Sequence, residues 1–160
     1  DASHINMQFL LDATTLNPEK ILKRMSSIAL GMYDDVSNGL ILDDKSNLQT
    51  LSKRDVEVNR QYFLLVRLIR STLVDKKLAN VFNLENIDIL DYRIAANLLE
   101  NAGDTIVELA NFIYNSSLSN EHLKKIFDIV QNFNVLAEKS IDAFTKPDRR
   151  LAIEAISLHK

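Results

Sequence analysis

Cysteine is absent from all 160 residues. Disulfides, thiolate nucleophiles, zinc fingers and cysteine-ligated iron–sulfur clusters are therefore excluded. That lack is compatible with a reducing compartment, and a cytoplasmic location is expected. Glycine and proline are scarce, at three and two residues, against a typical share of about 12% for the pair. A β-sandwich or barrel, turning every ~10 residues, would use many more. So would the glycine-rich phosphate loops of nucleotide-binding α/β folds. No uncharged apolar run approaches the ~20 residues that a membrane-spanning helix needs, so no direct membrane insertion is expected. Nor is there an excess of positive charge. Nineteen Lys and Arg against 22 Asp and Glu leave a net −3, which is not the basic footprint of a nucleic-acid binder. The first residues carry neither the basic nor the apolar region of a signal peptide. They also lack an initiator methionine, which reads as the mark of a fragment.

What remains is a chain 46% hydrophobic and 26% charged, the composition of a soluble all-α domain. Asn17-Pro18-Glu19 combines an N-cap, a first-turn proline and an acid, so a helix should start there. Ile21, Met25, Ile28, Met32 and Val36 then recur at spacings of four and three, and Asn38-Gly39 predicts the stop. A second helix is expected from about Asp43-Asp44 to Asp75. Its seam is Leu48, Leu51, Asp55, Val58, Tyr62, Leu65, Ile69 and Leu73, and a connector over 78–85 follows with Val81, Phe82 and Leu84 tucked inward. A third helix should run from about Asp88 to Tyr114, with Ala95, Leu99, Ala102, Ile106, Leu109 and Ile113 inward. Ser119 or Asn120 should cap a fourth, with Leu123, Ile126, Val130, Phe133, Ala137 and Phe144 inward. After Lys146-Pro147-Asp148 a last helix restarts over 151–158. Such long stretches of three-and-four spacing predict an antiparallel helical bundle. One segment differs: Ile5, Met7, Phe9 and Leu11 alternate, predicting a short N-terminal β-strand. With no partner strand in the chain, it should pair outside the monomer, either with a domain upstream of these residues or with the same segment of a second subunit, and a homodimer is expected.

No phosphate loop, nucleophile elbow or HExxH zinc motif occurs, nor the Glu-x-x-His pattern of di-iron bundles. His4, His122 and His159 lie near segment ends without catalytic company, so no enzymatic activity is expected. Two acidic spots stand out. Glu100 and Asp104 are one helical turn apart on one face, where two carboxylates repel unless a cation lies between them. Such pairs suit hard, oxygen-seeking metal ions; the plain alternative is a solvated polar face. Asp55 falls within an apolar seam with Asn59 one turn on, an unusual place for an acid without a partner or a metal. The plain alternative there is an Asp that reaches water or a nearby Arg or Lys. Arg60, Arg67 and Arg70 line the outer part of the same helix as snorkelling surface residues.

The run Asp55-Val-Glu57-Val-Asn59-Arg60-Gln-Tyr62-Phe63-Leu-Leu-Val66-Arg67, then Tyr92-Arg93, then Leu99-Glu100-Asn101-Ala102-Gly103-Asp104, resembles the PhoU family of phosphate-uptake regulators. The resemblance implies three-helix repeats, here one repeat and the first helices of a second. It also implies an acidic motif, Glu/Asp-x-x-x-Asp, on the second and third helices that binds divalent metal or iron. Glu100 to Asp104 fits that motif in full, whereas Asp55 to Asn59 ends on an amide. Asn101 and Thr105 stand where the family commonly has Arg and His. On this reading the metal ligands are Asp55, Asn59, Glu100 and Asp104, and the metal is Fe, Zn, Mn or Mg.

Met7 to Asp12 followed by Lys20 to Met25 is similar to the junction in archaeal members that carry an AbrB/SpoVT-like DNA-binding domain upstream. Residues 1–16 would then be that junction and 17–160 the helical domain. The implied function is non-enzymatic regulation of phosphate homeostasis through a transporter ATPase or a signalling protein. The helical part would serve as the sensor or oligomerisation part of a transcription regulator, with DNA bound only through the upstream domain. The rival reading is a helical dimerisation or scaffold module that has lost metal binding.

Overall fold

A computed structural model describes residues 16–41, 46–146 and 148–158. The predicted strand over 5–11, the pairing expected of it, and His4 and His159 lie outside the described residues, as do Asp43, Asp44 and Pro147. Within them the regular structure is helical: α1 (Pro18–Ile41), α2 (Leu51–Val74), α3 (Lys76–Val81), α4 (Asn86–Asn115), α5 (Asn120–Thr145) and α6 (Arg149–Leu158). A 3-10 turn over Ser46–Thr50 leads into α2. Among the described residues no helix is long and apolar enough to cross a membrane.

The starts follow local chemistry. Asn17 Oδ1 accepts from Glu19 N at 2.8 Å and caps α1. Asp75 accepts from the backbone of Lys77 and Leu78, so Lys76-Lys77 opens a short helix where a plain connector was expected. That helix closes with Leu84 N donating to Ala79 O at 3.0 Å. Asn83 there takes a left-handed φ of 52°, which Asn tolerates better than most residues. A reciprocal capping box between Glu85 and Asp88 starts α4 two residues before the expected Asp88. Ser119 caps α5, and its hydroxyl also lies 2.7 Å from His122 Nδ1.

Two boundaries differ from the sequence reading. Helix α1 runs through Asn38-Gly39 to Ile41, because Gly39 is buried in packing rather than left as an exposed terminator. Helix α2 begins at Leu51, the preceding residues forming the tighter 3-10 turn.

Helices α1, α2 and α4 pack on one another and enclose the core, with Leu22, Met25, Met32, Leu51, Leu65 and Ile106 fully buried. Helix α5 packs on the other side of α1, and among the described elements α6 packs on α5 alone. Tyr33 joins the three parts. Its hydroxyl donates to Ala102 O on α4 at 3.0 Å, and its ring stacks on Phe133 of α5 at 4.6 Å. Burial pushes the Tyr33 phenol up to about 12, so it stays a donor. Beside it an apolar groove separates α4 from α5, floored by α1.

That groove explains why much of the inward stripe expected on α5 is open. Val130 is buried, but Phe133 and Phe144 are more than a third exposed. Leu73 and Val81, also expected inward, are exposed as well; their neighbours Thr72, Ala79 and Phe82 are buried, so the core-facing side of α2 and α3 is turned away from them.

Candidate functional site

The two acidic spots meet where α2 crosses α4. Gly103 makes the approach close: a Cβ there would lie 3.2 Å from Asp55 Oδ1 and 3.4 Å from Val58 Cγ1. The missing side chain therefore lets the α4 backbone settle against Asp55. Asn59, one turn along α2, donates from Nδ2 to Asp55 Oδ2 at 3.0 Å. The other oxygen, Asp55 Oδ1, is buried and has no hydrogen-bond partner among the described residues. A buried carboxylate oxygen without a donor is costly, and such an orphan in a folded protein calls for an explanation.

The charges reinforce the strain. Burial raises the Asp55 carboxyl above its ordinary 3.8, the Asp104 carboxylate raises it further, and the Asn59 amide opposes both. Glu100, half-buried on α4, is raised above 4.5 by burial and then by Asp104 and Asp55, with Arg93 pulling the other way. Arg93 itself lies over the Tyr62 ring, 5.1 Å from its centre. The structure thus gathers Asp55, Asn59, Glu100 and Asp104 from two helices into one region. Glu108, Asn97 and Asn111 are exposed and continue the same face of α4 in either direction.

Both acids titrate high, so the folded chain holds these protons more tightly than the unfolded one. Their contribution to stability is greatest below the ordinary carboxylate values and is lost as pH rises through the raised ones. Asp55→Asn keeps an acceptor for Asn59 while removing the charge. It should therefore gain on the wild type in urea midpoint as the pH climbs from about 4 to 7. Parallel midpoint curves for the two proteins would show that Asp55 carries no such penalty.

As a donor set, three carboxylates and one amide carbonyl suit a hard divalent cation. The orphaned Asp55 oxygen and the mutual repulsion of the acids fit such an ion. The acids are not already closed around one point: among the described residues no group of three or more His, Cys, Asp or Glu side chains is placed to hold a metal.

Sequence reasoning placed Asp55 in a seam and Glu100 beside Asp104, but it missed Gly103. The signal was present as a glycine in the interior of a long helix, where it costs about 1 kcal/mol relative to Ala unless close packing requires it.

Fold and site together define a helical-bundle domain with an acidic crossing between its second and third long helices. The chain belongs to the PhoU domain family, which matches residues 22–113. That span holds α2, α3 and nearly all of α1 and α4, including every residue of the acidic crossing. No match emerged among curated proteins or solved structures.

Proposed function

We propose that this chain is a regulatory domain of phosphate homeostasis that works by protein–protein contact and holds a divalent or iron cation at the α2–α4 crossing. The observation that carries the reading is the coincidence of the PhoU match with the acidic crossing inside it. Asp55, Glu100 and Asp104 would bind through carboxylate oxygens and Asn59 through its amide oxygen. A bound cation would supply the positive charge these acids lack and so fasten α2 to α4. In this reading the domain acts without catalysis, as the sensor or oligomerisation part of a transcription regulator. A homodimer, an upstream AbrB/SpoVT-like DNA-binding domain, and a transporter ATPase or signalling protein as target complete it. Purified protein should contain Fe, Zn, Mn or Mg by elemental analysis, and Glu100→Gln with Asp104→Asn should release it. No metal after incubation with divalent ions would reject the site.

One observation favours a second reading, a metal-free helical scaffold. The Asn59 amide already occupies one Asp55 oxygen at 3.0 Å, as a neutral substitute for part of a cation's work.

A further inference from the structure

The side chains of α2 that face away from the core have a regular spacing of their own. Val56, Arg60, Phe63, Arg67, Arg70 and Val74 follow one another at intervals of four, three, four, three and four, and all six are exposed. That is the spacing of a helix–helix seam. Phe63 is 58% and Val74 89% exposed, which a merely solvated face does not call for. Arg60, Phe63 and Arg67 also help line a shallow hollow on this surface.

The charge of the stripe is as distinctive as its spacing. Arg60 reaches Glu57 at 3.4 Å, a carboxylate also shared with Arg24. Among the described residues the guanidinium groups of Arg67 and Arg70 meet no carboxylate. In a chain of net −3, this face therefore carries uncompensated positive charge between large apolar side chains.

We propose that the outward face of α2 docks an acidic amphipathic helix of a partner protein. Its apolar residues would pack on Val56, Phe63 and Val74, and its carboxylates would meet Arg60, Arg67 and Arg70. Both features of the stripe are needed to choose this occupant. A phosphate backbone would use the arginines but not Val56 or Val74, and an anionic bilayer would take a continuous apolar face, which Arg60, Arg67 and Arg70 interrupt here. The proposal rests on the regulatory reading only in needing a protein partner. It does not involve Glu100 or Asp104, so failure of the metal test leaves it standing.

The test uses the full chain and a labelled synthetic peptide of about three heptads, with leucines at the seam positions and glutamates flanking them. Fluorescence anisotropy should show saturable binding that weakens as salt rises. Arg67→Glu with Arg70→Glu should weaken it about tenfold or more, and Phe63→Ser should weaken it as well. All three positions are exposed, and circular dichroism should show unchanged helicity in these variants. A peptide with lysine in place of glutamate should not bind. The proposal is overturned if the acidic peptide fails to bind the wild type, or binds the charge-reversed variant equally well. Tighter binding of duplex DNA or phosphatidylserine vesicles than of the peptide would also overturn it.

Discussion

Leu65→Ala is expected to lower the unfolding free energy by about 2–5 kcal/mol, the range for truncating a fully enclosed leucine. Leu65 has no exposed surface and sits where α2 meets the core of the bundle. Domains of this size are stable by about 5–15 kcal/mol in all, so the variant should show a clear fall in urea midpoint. Leu73, two turns further along the same helix, is the control. It is 60% exposed, and Leu73→Ala should change stability by no more than about 0.5 kcal/mol. Equal losses at the two positions would mean that Leu73 is covered as Leu65 is.

The second large effect is expected at Gly103. Alanine there gains roughly 1 kcal/mol of helix propensity but must fit a Cβ 3.2 Å from Asp55 Oδ1, so Gly103→Ala should be close to neutral. Gly103→Val has no such balance. Its added methyl groups would force α2 and α4 apart and cost about 1–3 kcal/mol, as overpacking does elsewhere. It should also move the α4 backbone and Asp104 away from Asp55 and so relieve the burial and repulsion that raise its carboxyl. Urea unfolding measures the first effect. The second appears as a smaller pH-dependent difference between Gly103→Val and the Gly103→Val, Asp55→Asn double variant than between wild type and Asp55→Asn.

These two positions also show what the sequence made legible. The periodic apolar spacing identified α2 as a helix, but the steps of four from Leu65 through Ile69 to Leu73 drift around it by about 80°. The core-facing position near the end of α2 is Thr72, which is 2% exposed, and that separates Leu73 from Leu65. Phe133 and Phe144 of α5 line the groove between α4 and α5 and are only partly covered there, Phe133 by the Tyr33 ring of α1 and Phe144 by the Tyr92 ring of α4. Gly39 was misread because a glycine near a helix end serves equally as a terminator or as a small residue in close packing. At the site, the turn-spaced acids were legible because charge repulsion at that spacing is a local property. Gly103's close approach and the Asn59 hydrogen bond belong to the crossing of two helices, which no single segment encodes.

Calorimetric titration of chelator-treated protein with Mn2+ at neutral pH is the most direct test of a cation held at the α2–α4 crossing. Saturable binding by the wild type, abolished in the Asp55→Asn, Glu100→Gln, Asp104→Asn triple variant, is the predicted result. Absence of saturable binding, or the same binding in the triple variant, would contradict it.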